Sequence, residues 1–276
     1  LRPPTPDFTN PTKSCVNSCV TFTNTSTPAY NENCIESTIY EWDFGDGSGI
    51  YSITSSGKPN PTCHVYTLPG VYTITLTTYG YCGVFSKIGT ICIEPPLTPT
   101  FTLNTTNGCA PLSVTATNTT NTTNSCNTPT YLWQVTHTPL YCANTTVAIP
   151  NQTTANANFN FVESGSYLIR LTMTNSCGTF NSTQTVIVKK PPTASIAALS
   201  SFCGSAAINP VATVTNCAPS GSTLTYAWSF PGGNPSTSTS PNPGPINYPS
   251  SGNYTVSLIV TNECGASNTA SQTLVI

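Results

Sequence analysis

The chain has 276 residues, a formal charge of −2 and only 6% charged residues, against roughly 25% in an ordinary soluble domain. Its seven scattered Lys and Arg form no basic patch, so nucleic acid is excluded as a partner. No run approaches 18 apolar residues, so no membrane span is expected here. Thirteen cysteines beside a single methionine indicate an oxidising, extracellular compartment. Disulfides are favoured over zinc, since Cys15 and Cys19 are the only close pair and neither histidine stands at ligand spacing from them.

In chain order, a linker Arg2-Pro3-Pro4-Thr5 comes first. Tyr40, Trp42 and Phe44 then alternate with Glu41 and Asp43, which predicts a strand with three aromatics on one face. Asp46-Gly47 predicts a tight turn. Gly70-Val71-Tyr72 opens a second strand, with Tyr72, Ile74 and Leu76 alternating with threonines. Cys82-Gly83 and the linker Glu94-Pro95-Pro96-Leu97 follow.

The phrase returns as Tyr131-Leu132-Trp133, Gly165-Ser166-Tyr167 (with Ile169, Leu171 and Met173 in phase), Cys177-Gly178 and Lys190-Pro191-Pro192-Thr193. It returns again as Tyr226-Ala227-Trp228, Gly252-Asn253-Tyr254 (with Val256, Leu258 and Val260) and Cys264-Gly265. The tryptophans lie 91 and 95 residues apart, which is a domain-sized period and well above solenoid periods. No segment shows helical periodicity with caps. The pattern predicts an all-β chain of three tandem immunoglobulin-like β-sandwiches over 1–94, 95–190 and 191–276, joined by short Pro-Pro spacers. Beginning in a linker and ending on a strand, it reads as a segment of a longer array.

Trp42-Asp43-Phe44-Gly45-Asp46-Gly47, Asn60-Pro61 with His64-Val65-Tyr66, and Pro69-Gly70-Val71-Tyr72-Thr73-Ile74-Thr75-Leu76 resemble the polycystic kidney disease (PKD) domain over about 55 residues of the first repeat. The third resembles a variant of that module through Trp228-Ser229-Phe230-Pro231-Gly232-Gly233 and Ser251-Gly252-Asn253-Tyr254. The second keeps only Trp133, Gly165-Ser166-Tyr167 and its cysteines. The resemblance implies seven-stranded sandwiches used for protein or carbohydrate contacts at cell surfaces, in the style of large bacterial adhesins of the gliding-motility type.

In such a sandwich the loop before the Trp strand and the last hairpin share one end. This implies bridges Cys34–Cys82, Cys126–Cys177 and Cys217–Cys264. Cys19–Cys63 would join neighbouring strands, and Cys15–Cys92 and Cys109–Cys142 would join points near the opposite end. Cys203 is left over, either as a buried free thiol or bonded to a following domain or another chain.

Catalytic equipment is sparse. His64 occupies a structural position of the PKD motif, and His137 reads as a solvated loop residue. Asp43 and Asp46 could offer oxygens to Ca2+, but two carboxylates leave most ligands unsupplied. The turn reading is preferred, and no cofactor is expected. The three tryptophans read as core; Tyr79 and Tyr81, beside Cys82, are the better candidates for an exposed binding platform.

The expected function is non-enzymatic: an adhesive stalk or cell-surface filament, with gliding motility among the uses it would suit. The alternative is a set of carbohydrate- or protein-binding accessory modules of a secreted hydrolase. Expected partners are other domains of the same long chain, surface glycans or proteins, and laterally associated copies.

Overall fold

The computed structural model describes residues 2–28, 38–55, 57–61, 63–80, 83–218 and 221–276, and every regular element among them is a strand. The chain forms two compact units: residues 1–100, 119–131 and 172–182, and residues 101–118, 132–171 and 183–276. The first unit holds the first repeat and three stretches of the second, 95–100, 119–131 and 172–182; the other holds the rest.

In the first unit the main sheet has five strands, ordered Lys13–Cys15, Gly83–Glu94, Gly70–Gly80, Thr38–Asp43 and Ile50–Ser55. Lys13–Cys15 runs parallel to the strand that leads into the Pro-Pro linker, placing Cys15 opposite Glu94. Against this sheet lie the pairs Phe8–Thr9 with Thr23–Asn24 and Cys19–Val20 with His64–Val65. The alternation read from the sequence is realised: Tyr40, Trp42, Ile74 and Leu76 are fully buried, packed with Phe8, Phe22, Phe44 and Tyr66. Phe8 meets Trp42 edge-on at 5.1 Å between ring centres, a geometry that aromatic quadrupoles favour. Gly45 has φ +76°, and a Cβ there would lie 2.4 Å from the Thr73 carbonyl oxygen. Only glycine fits this turn.

In the second unit, Phe101–Leu103, Leu112–Asn118 and Ala157–Phe161 form a three-stranded sheet. Trp133 is buried against Phe101 at 5.1 Å. The third repeat builds its core from Trp228, Phe230, Ile246, Tyr248, Val256, Leu258, Val260 and Leu274. Its Trp strand Thr225–Ser229 lies between Thr237–Ser238 and Asn253–Asn262.

The Gly-x-Tyr tyrosines share a role. Tyr72 donates its hydroxyl to Leu68 O at 2.8 Å, Tyr167 to Glu163 O at 2.9 Å and Tyr254 to Ser250 O at 2.9 Å. Each bond ties the start of a long strand to the carbonyl four residues earlier, the arrangement known as a tyrosine corner. The indole N–H groups differ. Trp133 donates to Thr154 O and Trp228 to Ser240 O, whereas Trp42 Nε1 is buried with no hydrogen-bond partner among the described residues.

His137 is not a solvated loop residue. It is buried, its ring stacks on Tyr167 at 4.4 Å, and its Nδ1 accepts from Val147 N. The other ring nitrogen then donates to Ser164 O at 3.1 Å. The Trp133 strand continues to Pro139, and that length carries His137 beneath the corner at Gly165. A Cβ on Gly165 would lie 2.4 Å from the His137 ring.

Candidate functional site at the repeat junctions

The cysteines gather where repeats meet. Cys15 bonds Cys177, with Cα atoms 4.9 Å apart, and Cys92 bonds Cys126. Both pairs join the first repeat to segments of the second inside the first unit. In the second unit, Cys109 bonds Cys264 and Cys142 bonds Cys217, joining second-repeat segments to the third. Cys19–Cys63 lies within one repeat, between strands paired at Cys19 and Val65.

These pairings replace several of the sequence expectations. Cys126 and Cys177 do not bond each other, nor do Cys217 and Cys264. Cysteines of the preceding repeat take them instead: Cys92 and Cys15 in the first case, Cys142 and Cys109 in the second. Cys15–Cys92 fails on register, since Cys92 stands opposite Lys13 while Cys15 stands opposite Glu94. Cys109–Cys142 fails because each of these cysteines is drawn to the third repeat. Cys34–Cys82 and Tyr81 lie outside the described residues. Cys203 is an exposed free thiol, not a buried one.

Between the two staples of the first junction sits Glu94, the residue before Pro95-Pro96. It is 1% exposed. One carboxylate oxygen accepts from Cys126 N at 2.8 Å and the other from Ser176 N at 2.7 Å. Burial pushes the Glu94 carboxyl up, but the bonds from Ser176 and Cys126, helped by the Lys13 charge, outweigh it and hold the group below its ordinary value. A buried carboxylate is tolerated when its lone pairs are used in this way.

An asparagine recurs two residues before each stapled Cys-Gly. Asn175 accepts from Cys177 N and donates to Pro95 O; Asn262 accepts from Cys264 N and donates to Lys190 O. It folds the hairpin and reads the linker backbone in one step. The second junction adds ion pairs Lys189–Glu263 at 3.0 Å and Lys190–Glu163 at 2.7 Å. Sequence reasoning missed Glu94 and the asparagines, although Asn-x-Cys-Gly stands twice in the chain.

The remaining candidates lie on the first repeat. Asp43 Oδ1 accepts from Gly45 N and Asp46 Oδ1 from Ser48 N, so both serve turns. Asp46 Oδ2 lies 2.7 Å from His64 Nε2, and the His64 ring stacks on Phe44 at 4.0 Å. Burial pushes the Asp46 carboxyl up, but bonds from Ser48 and His64 hold it below the usual carboxylate range. Ser48 and His64 both bond the carboxylate, and the imidazole does not stand between acid and hydroxyl. The hydroxyl of a Ser-His-Asp triad is met by the imidazole, whereas Ser48 meets the Asp46 carboxylate, whose lowered pKa makes it a weak base.

Tyr79 is half-buried on the outer face of the five-stranded sheet, level with Ile39 on one side and Val84 on the other. Its hydroxyl bonds Glu41, which raises the phenol above its ordinary value.

The PKD domain family model matches residues 1–90 and 189–276. No curated protein matches. Among solved structures, the "I-band fragment I67-I69 from titin" superposes with a TM-score of 0.55 at 11% identity, covering 100% of this chain and 99% of that one. A mutated variant of the same three titin Ig domains gives 0.51 at 12% identity, with the same coverage. These likenesses speak for the fold: a tandem array of immunoglobulin-like β-sandwiches.

Proposed function

From the premise that this chain belongs to the PKD domain family, we propose that it is an extracellular, load-bearing spacer of an adhesive surface protein, with modules at 1–94, 95–190 and 191–276. The observation that carries this reading is the direction of the staples: four of the five described bridges run from one repeat to the next. A protein that only displays independent binding modules gains little from locking its joints; one that transmits tension gains a joint that cannot part. The two bridges at each junction, with Glu94 or the lysine pairs beside them, remove the hinge freedom that a Pro-Pro spacer alone leaves open. The bonds also support a location outside the reducing cytosol. The triad-poor chemistry of His64 and Asp46 supports a non-catalytic role, and gliding adhesins are one class of surface protein that such a spacer would suit.

The test is proteolytic. Cleavage within the linkers at residues 94–97 or 190–193 is expected to leave one covalent molecule on a non-reducing gel, with fragments separating only after reductant is added. Fragments that part without reductant would sink the inter-repeat staples and the load-bearing reading with them.

The Ile39–Tyr79–Val84 row supports a second reading, that this face of the first repeat contacts glycans. An aromatic ring with a carboxylate partner beside it suits a sugar, which offers both an apolar face and hydroxyls. On that reading Tyr79→Ala lowers glycan-array binding at least tenfold while leaving the thermal melt unchanged. Equal binding by both proteins would remove Tyr79 from any platform.

A further inference from the structure

We infer that the second repeat carries a site for a carboxylated sugar, a uronic acid unit of an acidic glycan, with Arg170 as its anchor. Five side chains of the second unit are charged, and four of them pair: Lys189 with Glu263 and Lys190 with Glu163. Arg170 is the fifth. Among the described residues its guanidinium has no ion pair and no hydrogen bond. An arginine alone on a surface is merely solvated, but Arg170 lines a cleft of about 220 Å³ with Gln134, Val135, Thr136, Asn151 and Leu168. All six residues belong to the second unit.

The cleft follows from strand alternation. Trp133 and His137 are buried on Thr130–Pro139, and Tyr167, Ile169 and Leu171 on its neighbour Gly165–Asn175. The residues between them, Gln134, Thr136, Leu168 and Arg170, therefore stand on the outer face. Trp133 and Gln152 exchange backbone bonds at 2.8 and 3.2 Å, and this antiparallel bridge brings Asn151 level with Gln134. The amides there are unused. Gln152, Gln184 and Gln272 each donate to a backbone carbonyl, whereas the Gln134 and Asn151 side chains have no hydrogen-bond partner among the described residues.

These groups define the ligand. A guanidinium meets a carboxylate in two parallel N–H···O bonds, and the one free charge here matches the single charge of a carboxylate. A phosphate monoester would bring a second charge with nothing to meet it. Each amide offers a donor and an acceptor, as a sugar hydroxyl does, and Leu168 offers the C–H face of a ring an apolar surface. The cleft is smaller than the roughly 300–1,000 Å³ of sites for drug-sized ligands, which suits one sugar ring on a longer polymer. The chain as a whole carries a charge of −2, so an acidic polymer is held at this point and not by general attraction. The site lies on a different repeat from Tyr79, and it rests neither on that reading nor on the spacer reading.

The test is an NMR titration of the complete oxidised chain at low salt, following the side-chain amides of Gln134 and Asn151 and the Arg170 Nε–H. Three probes are compared: tetragalacturonic acid, its methyl ester, and tetraglutamate. The expected result is saturable binding of the uronate centred on these signals, lost with the ester. Arg170→Gln is expected to weaken it about 10- to 150-fold, with Arg170→Lys in between. Both variants should melt as the parent does, because Arg170 is exposed. Unchanged affinity in Arg170→Gln, equal binding of the ester, or no response of the parent chain to the uronate would overturn the proposal. Tetraglutamate bound as tightly would overturn it too, since the site would then read a carboxylate and not a sugar. The ester comparison uses the parent chain alone, so it stands whatever the variants do.

Discussion

Stretched by its two ends, the oxidised chain should reach only a little over a quarter of the length it attains after reduction. The reason is covalent. The shortest covalent route from residue 1 to residue 276 leaves the backbone at Cys19 for Cys63, leaves again at Cys92 for Cys126, returns to Cys109 and crosses to Cys264. Residues 1–19, 63–92, 109–126 and 264–276 then carry the load, and the rest hangs in shielded loops. At roughly 3.5 Å per extended residue, the fully reduced chain spans about 950 Å and the oxidised one about 270 Å. Loss of one bridge changes little. Without Cys92–Cys126, the route through Cys15–Cys177 keeps residues 1–15, 109–177 and 264–276 under load, still only about a third of the chain. Single-molecule extension with and without reductant measures this. An oxidised chain that extended as far as the reduced one would show that the staples do not cross the junctions.

The second large effect is expected at Glu94. Glu94→Gln keeps the shape but turns one acceptor into an NH2 that faces a backbone N–H, so one charge-assisted bond is lost and a donor is left opposed. A bond to a charged acceptor contributes about 1.5–3 kcal/mol, so a loss of about 2–3 kcal/mol is expected, or roughly 30- to 150-fold faster amide exchange at Cys126 and Ser176. Because the bridges hold the junction covalently, amide exchange reads this more directly than melting does. Its pH dependence follows from the sign of the shift. A carboxyl held below its ordinary value of 4.5 contributes fully above that pH, and its contribution disappears as pH falls through the folded-state value. Protection of the two amides, corrected for intrinsic exchange, should therefore fall below about pH 4.5 in the parent chain and stay flat in the Gln variant. If Glu94→Gln exchanged at the parent rate, Glu94 would not be the clamp described here.

The sandwich cores were legible because burial writes a period into sequence. Tyr40, Trp42, Ile74 and Leu76 alternate with polar residues, and a strand has two faces. The cysteine pairing was not legible in that way. Loops at the end of a sandwich are as near to the adjoining repeat as to each other, and no periodicity separates Cys126–Cys177 from Cys15–Cys177. The distinction lies in the parallel strand Lys13–Cys15, three residues long, which fixes the end of the repeat on which Cys15 emerges. Glu94 read as a linker residue because its role depends on two backbone amides more than 30 positions away. His137 was misread because a Thr/Pro-rich stretch suggests a turn, whereas tertiary contacts with Tyr167 and Ser164 extend the strand through it.

The staples also impose an order on biosynthesis. Cys15 leaves the ribosome 162 residues ahead of Cys177, and Cys109 leaves 155 ahead of Cys264; the two spans overlap. At about 5–20 residues per second, the first repeat can collapse around Trp42 many seconds before its bonding partner exists. Through that interval Cys15 stands four positions from Cys19, with no correct neighbour. Among the described bridges, only Cys19–Cys63, which closes over 44 residues, can form within the first repeat as it emerges. Maturation of this chain therefore follows synthesis one repeat behind, the first repeat becoming covalently complete only when the second has folded and the second only when the third has, so any premature pair at its leading end has to be undone before Cys15 can reach Cys177.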